Sequence, residues 1–130
     1  MRVAKKNVKK FGITNRVKLV KSSFTKFKSK NKFDIIVSNP PYIAHGDMRV
    51  NAGAKHDPEI ALYAKNNGLA AYEQIAKNAK NLLKQNGKIY LEIGAGQSAY
   101  VLKIFESCGF RFERVVPDLS GINRVLVFSI

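Results

Sequence analysis

Apolar positions along the chain fall into three stretches of helical spacing, separated by short runs that read as strands. Val3, Ala4, Val8 and Phe11 recur every three or four residues and stop at Gly12, a residue suited to the left-handed conformation that follows a helix. Arg16 to Lys21 alternates Val17 and Leu19 with basic residues, which predicts an edge or half-buried strand. A polar Lys/Ser/Asn stretch leads to Phe33 to Val37, which is apolar through its end and is expected to be a central strand. Ala44 to Lys55 holds Gly, Asp and Asn without periodicity and predicts a long loop, of the kind that serves as a lid or binding loop.

Leu69, Tyr72, Ile75, Ala79, Leu82 and Leu83 share one helical face, closed by Asn86-Gly87, and Lys88 to Ile93 is a buried strand. Ser98 is placed to cap a further helix carrying Val101, Leu102, Phe105 and Cys108 and ended by Gly109. Strands Phe110 to Val116 and Arg124 to Phe128 follow, joined by the turn Asp118 to Asn123. Strand, helix, strand, helix and a terminal antiparallel pair make the back half of a doubly wound α/β sheet, with no internal repeat and no second domain. Tyr72, Phe105 and Cys108 are assigned to its core.

Composition narrows this picture. The 130 residues, 45% hydrophobic, amount to one small domain, and no apolar run approaches the roughly 20 residues that cross a bilayer. A lysine-rich start without a following apolar segment is no signal peptide, so a soluble, cytoplasmic chain is expected, with no membrane partner. The single cysteine and the absence of a His/Cys cluster at ligand spacing suggest neither a disulfide scaffold nor a metal site. The net charge of +14 is concentrated at one end: residues 1 to 32 hold twelve of the 23 Lys and Arg and no acidic residue. Such an arm can add affinity for nucleic acid, but solvated lysines on a short helix account for it more simply.

The chemistry is concentrated in Ser38-Asn39-Pro40-Pro41-Tyr42-Ile43, directly behind an apolar strand, where open α/β sheets bind ligands. Proline has no N–H, so Pro40 and Pro41 fix an extended bend and leave the Pro40 carbonyl outside any sheet ladder. Asn39 Oδ1 is a second acceptor, and Tyr42 offers a flat apolar face with a polar tip. Two acceptors and a stacking plane suit a planar group bearing an NH₂, such as a carboxamide or an exocyclic base amine.

The blocks Ile36-Val37-Ser38-Asn39-Pro40-Pro41-Tyr42-Ile43, Asp57-Pro58-Glu59-Ile60-Ala61-Leu62, Leu91-Glu92-Ile93-Gly94 and Asp118-Leu119-Ser120-Gly121 leading to Arg124-Val125 stand in this order along nearly the whole chain. Together they resemble the C-terminal part of the HemK/PrmC-type methyltransferases, which use S-adenosylmethionine to modify the glutamine of peptide-chain release factors. The resemblance implies that residues 1 to 130 are the C-terminal portion of a single Rossmann-like methyltransferase domain, with its first two strands absent. It implies that Asn39 and Pro40 accept the two amide hydrogens, that Pro41 and Tyr42 complete the substrate site, and that Phe24 and Asn39 touch the cofactor. The family usually has Trp at Phe24, often an acidic residue at Ser23, and Glu at Asp57. The glycine-rich cofactor loop, the ribose-binding acid and a helical substrate-recognition domain would lie upstream of Met1, so a complementary N-terminal fragment is an expected partner beside the release factor.

Gly94-Ala95-Gly96-Gln97-Ser98-Ala99 also fits the dinucleotide-type G-x-G-x-x-G/A pattern, with Asp118 about twenty residues on. Taken literally it makes the chain a permuted adenine N6 amino-methyltransferase acting on nucleic acid; an inactive remnant of the family is the third reading. Glu92 stands at a strand end near the site. His45 and His56 are solvated loop residues, and Asp57-Pro58 shapes the loop path.

Overall fold

The computed structural model describes residues 1–44, 63, 64, 66 and 68–130. Most of the loop expected from Ala44 to Lys55, with His45 and His56, and the block Asp57 to Leu62 lie outside the described residues. In chain order the elements are α1 (Arg2–Lys10), β1 (Phe33–Ser38), β2 (Ile43–Ala44), β3 (Tyr63–Ala64), α2 (Ala70–Leu82), β4 (Leu83–Glu92), α3 (Ser98–Ser107), β5 (Arg111–Pro117) and β6 (Asn123–Ser129). Four strands form one sheet in the order β1-β4-β6-β5, and β2 pairs with β3 in parallel as a small second sheet.

β1 runs parallel to β4, with Ile36 opposite Ile89 and Ser38 opposite Leu91. β6 is inserted antiparallel between β4 and β5, with Ile89 opposite Phe128 and Leu91 opposite Leu126. These pairings put Ile89, Leu91, Leu126 and Phe128 on one face, where α2 adds Tyr72, Ile75, Ala76 and Ala79 and α3 adds Val101 and Phe105. The Phe105 ring stacks on Phe128 at 4.7 Å and meets Phe110 at 5.1 Å. Tyr72 and Phe105 are core residues as expected, and Cys108 packs against the cluster from a half-buried position. Gly12 and Gly109 follow α1 and α3 at φ +64° and +80°.

Four expectations are corrected. Phe33 to Val37 is an edge strand and not a central one: nothing described pairs with its outer side, and Ile35 and Val37 are 56% and 78% exposed. Arg16 to Lys21 is no strand: among the described residues no neighbour hydrogen-bonds its alternating backbone. α2 stops at Leu82, since Leu83 is already extended (φ −83°, ψ 147°) and pairs with Phe33. The chain then bulges through Lys84–Gly87, with Asn86 at φ +62°, before pairing resumes at Lys88; the Asn86-Gly87 signal marks a turn inside β4. Ser98 is the first residue of α3 and not its cap, which falls at Gln97 without a capping side chain. Among the described residues no helix is long and apolar enough to cross a membrane, and no group of His, Cys, Asp and Glu could hold a metal ion.

Candidate active site

The segment Asn39 to Tyr42 leaves the carboxyl end of β1, where the parallel ladder ends at Ser38 opposite Leu91. Asn39 is exposed, Pro40 is fully buried, and Pro41 and Tyr42 are half-buried. Among the described residues neither Asn39 Oδ1 nor the Pro40 carbonyl accepts a hydrogen bond. A buried carbonyl with no partner is uncommon, because each such acceptor left dry costs about 1–3 kcal/mol.

Tyr42 is anchored at both ends. Its hydroxyl donates to Glu92 Oε1 at 3.3 Å, and its carbonyl accepts from Gln97 Nε2 at 3.0 Å. Burial raises the phenol above the ordinary tyrosine range; the Glu92 carboxylate adds to this and the Arg124 guanidinium opposes it. Beneath lies Tyr72, whose hydroxyl donates to the Glu92 carbonyl at 3.0 Å and whose phenol burial likewise raises. Gly94 leaves room for both side chains: a Cβ there would approach Tyr42 Cδ2 to 3.0 Å and Gln97 Oε1 to 2.9 Å, so that one or both would have to shift. Arg124 is held by Asp118, Nε to Oδ2 at 2.9 Å, while Asp118 Oδ1 accepts from the Ser120 and Ile122 amides and closes the β5–β6 turn.

Phe24 belongs to a separate wall. It is 40% exposed and lines a cleft of about 410 Å³ with Ser22, Ser23, Phe27, Val37 and Ser38, the residue before Asn39. The Phe24 turn is clamped to α2 by Asn78, whose Nδ2 donates to the Phe24 carbonyl at 2.6 Å and to the Phe27 carbonyl at 3.0 Å. The structure thus brings Asn39, Pro40, Pro41 and Tyr42 together with Glu92, and sets Phe24 in the cleft that reaches Ser38. Asn39 itself does not line that cleft.

Gln97 and Asn78 carry bonds that the sequence did not disclose. Gln97 reads as the variable position of a glycine loop, yet its side chain fills that loop: Oε1 accepts the Gly94 N–H at 3.0 Å. That bond engages from within the loop a backbone N–H that a ligand of the glycine pattern would need. An amide side chain one residue ahead of a helix, behind a strand-end glycine, was the available signal.

Residues 2–93 match the family model described as Eco57I restriction-modification methylase. This chain belongs to that methylase family. It is 46% identical over 131 residues to a bifunctional methyltransferase of Rickettsia prowazekii (strain Madrid E), covering 99% of this chain and 25% of that protein. To the release factor glutamine methyltransferase of Lactococcus lactis subsp. lactis (strain IL1403) it is 52% identical over 102 residues, 76% of this chain and 38% of that protein. The chain therefore spans a quarter to less than half of the curated relatives' length, and these relatives bear out its likeness to the HemK/PrmC type. A methyltransferase of Pyrococcus furiosus, at 16% identity and TM-score 0.54, covers 78% of this chain and 42% of its own, which shows the shared fold. The chain is thus an incomplete Rossmann-like methyltransferase sheet with a C-terminal antiparallel pair, in a family whose cofactor is S-adenosylmethionine.

The residues present fit that cofactor in part. The Phe24 cleft offers an aromatic wall to a purine ring, while residues 1 to 32 contain no carboxylate to bind ribose hydroxyls.

Proposed function

We propose that this chain is the target-gripping part of a methyltransferase that places a methyl group on the side-chain amide nitrogen of a glutamine in a peptide-chain release factor. The observation that carries the reading is the pair of acceptors at the end of β1, the buried Pro40 carbonyl and the exposed Asn39 Oδ1, both without a hydrogen bond among the described residues. The names of the Lactococcus lactis relative and of a Francisella tularensis protein 42% identical over 123 residues support glutamine as the target.

An amide nitrogen is a poor nucleophile because its lone pair is delocalised into the carbonyl. S-adenosylmethionine supplies the methyl as an electrophile on positively charged sulfur, and the sulfur leaves as a neutral thioether. Asn39 and Pro40 each accept one N–H, which fixes the amide plane and turns the nitrogen lone pair toward the methyl. Tyr42 packs on that plane, and Phe24 with Asn39 touches the cofactor side. The nitrogen, once it carried the methyl that the cofactor would supply, would release one proton to water. Orientation of this kind is worth roughly 7 kcal/mol of barrier, without a general base acting before transfer.

Residues 1 to 130 are one portion of a single methyltransferase domain in this reading, and the rest docks on β1. The two sheet edges differ in the way that supports this. β5 carries Arg111, Glu113, Arg114 and Pro117 beside Phe112, Val115 and Val116 at 37–39% exposure, whereas β1 has one charge, Asp34, and exposes Ile35 and Val37 further, at 56% and 78%. The occupant in this reading is a complementary N-terminal fragment that adds an apolar strand beside β1.

A second reading is adenine N6 methylation of nucleic acid. An exocyclic amine presents the same two N–H groups, and the restriction-modification family and the basic residues 1 to 32 favour it. Labelled methyl transfer by the chain with its complement, offered a release factor, the same factor with its target glutamine replaced, and adenine-containing oligonucleotides, tests both. Label on the glutamine supports the first reading and label on adenine the second. A folded complex that labels neither overturns both and leaves the inactive remnant.

A further inference from the structure

Gln97 joins three separate parts of the site through one side chain. Nε2 donates to the Tyr42 carbonyl at 3.0 Å, and Oε1 accepts the Gly94 N–H at 3.0 Å and lies 3.4 Å from the Tyr72 hydroxyl. The amide cannot be turned over, because that would set oxygen against the Tyr42 carbonyl and NH₂ against the Gly94 N–H. Gly68 lies against the same hydrogen bond: at φ +84° it has no Cβ, and one built there would strike the Tyr42 oxygen and crowd Gln97 Nε2 at 2.8 Å.

Pro40 and Pro41 fix φ at two residues and hold Asn39 and Pro40 to extended ψ, but no ring sets ψ at Pro41, so the prolines alone do not fix how the acceptors sit against the rest of the site. The next anchored group along the chain is the Tyr42 carbonyl. We propose that Gln97 is a positioning residue for methyl transfer: it pins the main chain at Tyr42, and through it the geometry of the Pro40 and Asn39 acceptors. This rests on the reading that those two oxygens grip the substrate amide. A misplacement of 1 Å in such a grip costs about 10²-fold in rate. Glutamine is the side chain that does this: glutamate would keep the bond from Gly94 but offer the Tyr42 carbonyl no donor, and methionine would fill the space without either bond.

The test compares the isotope-labelled full chain with Gln97→Glu and Gln97→Met by nuclear magnetic resonance, with Gly68→Ala as a second disturbance of the same hydrogen bond that leaves the Gln97 side chain in place. The readout is the through-space contact between the Tyr42 ring and the Gly94 Hα. A contact present in the wild type and weakened in all three variants, with the Phe105 to Phe128 contact intact, is the expected result. In the complex with the complement, kcat falls about 10²-fold in Gln97→Glu while cofactor affinity is unchanged. A Tyr42 to Gly94 contact that survives in both Gln97 variants overturns the proposal, as does one lost only when the core contact is lost with it. Tyr42 order that depends on Gln97, in a wild-type complex that methylates no glutamine, upholds the positioning role and sinks the assigned substrate instead.

Discussion

The Tyr42 hydroxyl donates to Glu92 Oε1 at 3.3 Å, tying the exit of the edge strand to the end of β4 across fifty residues of sequence. Removing the charge while keeping an acceptor, in Glu92→Gln, lowers the Tyr42 pKa toward the ordinary tyrosine value, although burial keeps it above. Because the folded-state value is raised, the stability it contributes is complete below about pH 10 and is lost as pH rises through the folded value. The variant therefore loses stability less steeply on the alkaline side. Phenolate absorbance, with Tyr42→Phe to assign the signal, and melting curves against pH check both statements.

Asn78 makes the only described side-chain hydrogen bonds from α2 to the Phe24 turn. Asn78→Ala removes two bonds of about 1 kcal/mol each, so a loss of roughly 1–2 kcal/mol is expected. The loosened segment is local: hydrogen exchange rises at Lys26 and Phe27, whose amides bond to the Ser23 carbonyl, and not in β4.

Asp118 has its carboxyl held below the usual range, first by the Ile122 amide and then by the Arg124 guanidinium. The stability linked to it is present above the unfolded value near 3.9 and disappears as pH falls through the lowered one. Asp118→Asn keeps the acceptor that closes the turn and drops the charge, so its melting temperature is lower than wild type at neutral pH and the two curves converge in acid. Parallel curves would contradict the pairing.

Val37→Lys places a charge on the open side of β1. It is expected to leave the core intact and to weaken association with the proposed complementary fragment by at least tenfold in titration calorimetry, because a lysine on an edge strand discourages pairing. Equal affinity would move the interface elsewhere.

The helices were legible because apolar spacing is a local property: Tyr72, Ile75 and Ala79 face the core as their period demands. Strand position was not legible. Ile35, Ile36 and Val37 carry the composition of a buried strand whether or not a neighbour is present, so the pattern predicts a central strand where the structure has an edge. The same ambiguity misplaced Arg16 to Lys21. In the site, the motif Asn39 to Tyr42 could be found from two prolines behind a strand, but its supports could not. Glu92 and Gln97 lie fifty and fifty-five residues away, and only the crossover that sets β4 beside β1 brings them to Tyr42. Gln97 was hidden further by glycines that imitate a phosphate loop.

The central claim is that Asn39 and Pro40 grip an amide for methylation, and substituting the side-chain member tests it most directly. Methyl transfer from S-adenosylmethionine to the release-factor glutamine is measured by mass spectrometry for the complemented wild type and Asn39→Ala, with cofactor affinity measured in parallel by calorimetry. The wild type gains one methyl on the glutamine, and the variant loses turnover by about 10²-fold or more while cofactor affinity is largely kept. Equal turnover in the two proteins would contradict the account.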